Sequence, residues 1–239
     1  TILNWTDLVK VLNNKKMKNS ILSLVLALFT NLLSAQLTLG LETNSSWSNM
    51  NIAGEGNLIS SPNYYNGIKT GVNVSYPIYL GLGIESGLYY HTTGFKVSQD
   101  FGFDVYNIPI EAGVTAIPQF HYLETPLLLK YSFGDKVKAS IGAGPYVGLA
   151  IDGEIKTRAN FILDFNLGTY DLNLRNDLFN QWEIGLMTKA ELKIPIQNWS
   201  INFNGQFQHG LNDLSDEPIL NIRTKRYAFG LGAGLSYQF

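Results

Sequence analysis

The final thirteen residues, YAFGLGAGLSYQF (Tyr227 to Phe239), alternate without interruption. Tyr227, Phe229, Leu231, Ala233, Leu235, Tyr237 and Phe239 share one parity, and Ala228, Gly230, Gly232, Gly234, Ser236 and Gln238 the other. A strict period of two belongs to an extended strand whose two faces meet different surroundings. One face here is bulky and apolar. The other is mostly glycine, which makes a poor water-facing surface and a good lining for a narrow interior.

The same period recurs seven times upstream. The earlier segments are LTLGLETNSSW, IKTGVNVSY, LGLGIESGLYYH, YLETPLLLKYSF, VKASIGAGPYVGLA, QWEIGLMTKAELKI and WSINFNGQFQH. Leu39 and Leu41, Ile68, Val72 and Val74, Ile84 and Leu88, Leu127 and Leu129, Ile184 and Leu186, and Ile201 and Phe203 mark the apolar parity. The connections follow a rhythm. Long ones occupy 48–67, 94–119, 151–178 and 211–222; short ones follow Pro77, use Gly134-Asp135, and run from Pro195 to Asn198. Tight turns at one end and long loops at the other are the layout of a transmembrane β-barrel. Closure is required, because lipid offers no partner to an open strand edge. The expected fold is all-β: an eight-stranded antiparallel up-and-down transmembrane barrel. The ten-strand alternative would place residues 160–174 in the wall as a hairpin about Gly168. Its half-runs are short against the roughly 9–11 residues a tilted membrane strand needs.

Aromatic residues cluster at the segment ends, as expected of side chains seated at a water–lipid boundary. Tyr76, Tyr79, Tyr131, Phe133, Trp199, Tyr237 and Phe239 fall at the short-turn end. Trp47, Tyr90, Phe120, Trp182, Phe207 and Tyr227 fall at the long-loop end.

The chain has no cysteine, which excludes disulfides and thiolate chemistry, and its net charge of −2 carries no basic stripe for nucleic acid. Met17-Lys18-Asn19, the apolar run from Ile21 to Leu33, and Ser34-Ala35-Gln36 have the form of a secretory signal peptide. The expected division is a misassigned upstream extension over residues 1–16, a signal peptide over 17–35, and a barrel domain over 36–239.

YLETPLLLKYSF, GAGPYVGLA and the terminal FGLGAGLSYQF resemble the porin-like outer-membrane β-barrel proteins of Bacteroidetes, over essentially all of residues 36–239. The resemblance implies an OmpA/OmpX-type barrel in the outer membrane of a Gram-negative bacterium, exported through a cleaved signal. It also implies that Tyr237 and Phe239 serve as an assembly signal read by the barrel-assembly machinery.

Parity assigns ten charged residues to the lumen: Glu42, Lys69, Glu85, Glu124, Lys130, Lys138, Glu183, Lys189, Glu191 and Arg226. An eight-stranded barrel is only wide enough inside for its own side chains, so these groups are expected to pair into a salt-bridged plug. His91, His121 and His209 fall at the long-loop ends, with no His-x-Ser motif and no carboxylate nearby in sequence. They read as interfacial or loop histidines, with no catalytic residue. No spacing suits a metal, and the glycine pairs lack the Lys-Ser/Thr of a phosphate loop, so no cofactor is expected. The expected function is structural, or binding of an extracellular protein or glycan through loops 94–119 and 151–178, with outer-membrane lipid and lipopolysaccharide around the wall. A narrow porin or secretion accessory, and then a lipid- or peptide-hydrolysing enzyme, are the alternatives.

Overall fold

Alternation is realised as nine strands in a computed structural model that describes residues 37–53, 62–105, 108–160, 164–172, 174, 180–213 and 223–239. They are β1 (Thr38–Ala53), β2 (Asn63–Tyr79), β3 (Leu82–Val105), β4 (Ile108–Phe133), β5 (Lys138–Asn160), β6 (Asp164–Asp171), β7 (Trp182–Ile196), β8 (Trp199–Gly210) and β9 (Arg223–Gln238). Every pairing is antiparallel. β1 to β5, β7, β8 and β9 close into a ring, sealed where β1 pairs with β9 from Thr38↔Gln238 to Ala53↔Arg223. The expected eight-stranded barrel is therefore the observed one. No helix among the described residues is long and apolar enough to cross a membrane, a statement that leaves strand crossings untouched.

The ninth strand stands outside the ring. β5 pairs with β7 through residues 138–149, and above that level its free edge is taken by β6, from Glu154↔Asp171 to Asn160↔Asp164. The hairpin expected about Gly168 is thus displaced: Gly168 lies within β6 opposite Thr157, and β6 turns back on β5. Residues 94–105 and 108–119, expected in a loop, are likewise strand. β3 and β4 run on as a ladder to Val105↔Ile108, more than twice the length a membrane crossing needs. Loop and strand look alike in sequence there, because both faces of the hairpin leave the lipid and the apolar/small contrast fades.

At the opposite end the turns are tight. β2 and β3 join through Leu80 (φ 48°) and Gly81 (φ 83°), the doubly positive φ of a hairpin turn that matches strand twist. That turn lies three residues beyond Pro77, which sits inside β2 at a register shift. β7 and β8 join through Gln197 (φ 57°) and Asn198.

The wall is apolar outside and polar inside. Leu41, Ile68, Leu129, Ile141, Leu186 and Phe203 are among the exposed large side chains, while the alternate parity is buried against the lumen. Lumen glycines make room for inward aromatic rings. A Cβ on Gly185 would lie 2.4 Å from the Tyr146 ring, and one on Gly71 would lie 2.7 Å from that of Tyr89. The interior is filled by pairing bare backbone on one strand with a large ring on its neighbour.

Candidate functional site

The lumen carries two polar networks stacked along the barrel axis. The one nearer the long-hairpin end centres on Glu124 of β4, fully buried. Its Oε2 accepts from Lys69 Nζ at 2.9 Å and Gln208 Nε2 at 2.8 Å; its Oε1 accepts from His91 Nδ1 at 2.9 Å and Arg226 Nη2 at 2.8 Å. Arg226 of β9 also grips Glu183 of β7 in a fork, Nε to Oε2 at 2.8 Å and Nη2 to Oε1 at 2.7 Å. Tyr146 donates to the same carboxylate, and the guanidinium stacks 5.0 Å from the Tyr122 ring. A bidentate guanidinium–carboxylate pair is among the strongest polar contacts available, and here it ties β9 to β7 across β8.

The second network lies toward the tight-turn end. Lys189 Nζ lies 2.7 Å from both Glu42 and Glu85, and Lys130 Nζ lies 2.8 Å from both Glu85 and Glu191. The chain of alternating charge runs Glu42–Lys189–Glu85–Lys130–Glu191, with Lys193 3.8 Å from Glu191 at the mouth. Between the two networks lies an apolar layer of Leu128 and Met187. Below the second network a cavity of about 240 Å³ opens at the tight-turn end, lined by Ser75, Lys130, Lys138, Ser140, Glu191 and Lys193 among others.

The outward parity is exposed, and its Leu, Ile, Val and Phe side chains run round the whole ring. An apolar band of that extent suits lipid contact and not water. The sequence model of the family described as "Outer membrane protein beta-barrel domain" matches residues 27–216. The chain belongs to that family. Its place is accordingly the outer membrane of a Gram-negative bacterium. The barrel is similar to solved outer-membrane proteins. Neisserial surface protein A matches at 13% identity and TM-score 0.44, covering 85% of this chain and 97% of that one. OprG from Pseudomonas aeruginosa matches at 12% identity and TM-score 0.46, covering 86% and 96%. Ail, the attachment invasion locus protein of Yersinia pestis, matches at 13% identity and TM-score 0.37, covering 85% and 99%. No curated protein matches the chain in sequence.

Of the ten charged residues that parity assigns to the family member's lumen, the structure buries nine and joins them as described. Lys138 is the exception. It shares the inward parity but opens β5 at the mouth, where its side chain is exposed to the cavity and solvent. Phe120, expected in the outer aromatic belt, instead turns inward and packs with Tyr122, Ala150 and Leu174. From Phe120 to Lys130 the even-numbered residues of β4 face the lumen, and Phe120 obeys that parity.

His91 overturns the expectation of an interfacial histidine without a carboxylate. It is fully buried, its Nδ1 on Glu124 and its Nε2 2.8 Å from Ser46 Oγ. A hydroxyl, an imidazole and a carboxylate are thus linked in series across β1, β3 and β4, with Arg226 Nη1 3.3 Å from the same Nδ1. Ser46 is 1% exposed and His91 0%, so the hydroxyl presents itself to no substrate. His121 stays on the outer wall, stacked on Tyr90 at 5.7 Å. Ser46, His91 and Gln208 were reachable by parity alone; Lys193 was too, two residues beyond Glu191. What parity lacks is the register that brings β1, β3, β4 and β9 to one level.

Proposed function

We propose that this barrel is a closed one, a structural or binding protein of the outer membrane whose activity lies in its projecting hairpins rather than in its bore. The observation that carries this reading is the depth of the ion-pair networks. Glu124, Lys69 and His91 are 0% exposed, and Glu42, Glu85, Glu183, Glu191, Lys189 and Arg226 are at most 5% exposed. Moving an ion past them would require breaking several desolvated pairs, each of which is strongly unfavourable to open.

The hairpin β3–β4 and the flap β5–β6 stand clear of the lipid band and supply the surface for an extracellular protein or glycan. Phe165, Leu167 and Tyr170 of β6 are exposed there, as befits a contact surface. Lipopolysaccharide and outer-membrane lipid would surround the wall, and the terminal Tyr237 and Phe239 would be read by the barrel-assembly machinery. The resemblance to porin-like barrels of Bacteroidetes, and a leader over residues 17–35 that directs export, complete the reading.

Planar-bilayer conductance of residues 36–239 tests it, after folding is checked by a heat-dependent shift on a gel. Silence from the folded barrel is expected. Steady channels would overturn the closed lumen in favour of a narrow porin, and their ion selectivity would then change with reversal of Lys130 or Glu183.

A further inference from the structure

On β9 the lumen parity is bare over Gly230, Gly232 and Gly234, and the strands on either side lean their side chains into the gap. Glu42 and Asn44 of β1 stand opposite Gly234 and Gly232, while Asn204 and Gln206 of β8 stand opposite Gly232 and Gly230. The amides have folded onto the bare strand from both sides. A Cβ on Gly232 would lie 2.2 Å from Asn44 Oδ1, and one on Gly230 would lie 3.0 Å from Gln206 Nε2. Asn204 Nδ2 is 3.4 Å from Glu42 Oε2, which places the third amide beside the carboxylate.

These four side chains hold a concentration of unmatched polar atoms. Glu42 Oε1, both amide atoms of Asn44, Asn204 Oδ1 and Gln206 Oε1 meet no hydrogen-bonding group among the described residues. All four residues are at most 5% exposed. A buried polar atom left unmatched forfeits its hydration, so a cluster of them in one place calls for a ligand. Four of the five atoms are oxygens that can only accept; the fifth is the Asn44 amide nitrogen.

The charge points the same way. Glu42 is the end member of the lower network and shares Lys189 with Glu85, while Lys130 is shared between Glu85 and Glu191. Lys193 meets Glu191 at the far mouth at 3.8 Å, and Glu42, at the other end of the chain, keeps one oxygen unmatched among the described residues.

We propose that Glu42, Asn44, Asn204 and Gln206 form an internal site for one monovalent metal cation of the sodium–potassium class, seated against the glycines of β9. Neutral carbonyl oxygens can replace the hydration shell of such an ion, as they do in selectivity filters. A single carboxylate, half-neutralised by Lys189, matches one positive charge. Calcium would call for more carboxylates, and a transition metal for imidazole or thiolate, neither of which borders the site. The ion would join β1 to β8 across the strand that has no side chains to do so. This does not rest on the closed-lumen reading: a silent barrel can lack the ion, and a conducting one can hold it.

The test is the thermal unfolding of the refolded protein in sodium, potassium or choline acetate at one ionic strength. A saturable rise in midpoint with sodium or potassium over choline is expected. It should be lost in Asn44→Ala, which leaves every ion pair intact, and in Glu42→Gln. Thallium(I) soaked into crystals should give an anomalous peak between β1 and β8. Equal midpoints in choline and alkali salts, or an alkali-dependent rise that survives Asn44→Ala, would overturn the proposal and assign these oxygens to water. If Glu42→Gln does not refold, the Asn44→Ala comparison and the thallium peak decide alone.

Discussion

Replacing Glu124 by Gln removes one charge from the centre of the upper network and strands another. The amide keeps the volume but offers one acceptor oxygen where the carboxylate offers two, so it can accept from Gln208 or from His91 but not both, and Lys69 loses its only ion-pair partner among the described residues. Lys69 is fully buried; its remaining polar neighbours are Met187 Sδ at 4.0 Å and the Tyr89 ring, 4.8 Å from its Nζ. Neither neutralises an ammonium in a low dielectric. Breaking one side of a buried pair costs about 3–5 kcal/mol, and Glu124→Gln is expected in that range. Lys69→Met is milder, because Glu124 keeps Arg226, His91 and Gln208; about 1.5–3 kcal/mol covers one charge-assisted bond. The double variant Glu124→Gln/Lys69→Met removes both charges and places an apolar chain beside Met187. It should be no worse than Glu124→Gln alone, a coupling at least as large as the Lys69→Met cost of about 1.5–3 kcal/mol. Equilibrium urea unfolding in lipid vesicles, followed by the fluorescence of Trp47, Trp182 and Trp199, gives all three values. Effects that add in the double variant to within about 0.5 kcal/mol would refute the reasoning, since that is how independent sites behave.

Three further outcomes follow from the same geometry. Gly185→Ala should cost about 1–3 kcal/mol by pushing the Tyr146 ring off Glu183, and Tyr146→Leu in the same chain should recover part of that loss in urea unfolding. Leu129→Arg, on the lipid face, should cost about 2–4 kcal/mol in vesicles, whereas Leu167→Arg on the projecting β6 should change vesicle stability by less than about 1 kcal/mol. Deleting Phe239, which is exposed and touches Tyr237 edge-on at 4.9 Å, should lower the yield of assembled barrel in cells while refolding in detergent stays near normal.

How much of this was legible in the sequence depends on what sets each feature. Strand faces are set by local alternation, and Glu42, Lys69 and Glu191 could be placed inside from their neighbours alone. Strand ends are set by where pairing stops. Residues 94–119 carry β3 and β4 well past the lipid, where the outer face no longer has to be apolar and so announces nothing. Partners are set by register and barrel stagger, which a single strand does not encode. Parity points His91 inward, but only the ladders of β3 with β4, of β3 with β2, of β2 with β1 and of β1 with β9 bring Glu124, Ser46 and Arg226 to its level. Lys138 shows the converse error: its parity is right, but the bore there is already open to solvent.

The seam between β1 and β9 joins the first strand of the barrel to the last, Thr38 against Gln238. Every other wall contact can form between chain neighbours, but this one spans the whole domain, and loop-closure entropy opposes it until the rest of the wall holds the ends together. Until then both β1 and β9 are open edges, with unpaired backbone that lipid cannot satisfy. Closure must therefore come last and all at once. Arg226, rooted in β9, can meet Glu183 of β7 across β8 before the seam forms, but it reaches Glu124 of β4 on the opposite wall once the barrel closes, so the step that shuts the wall also completes the upper network.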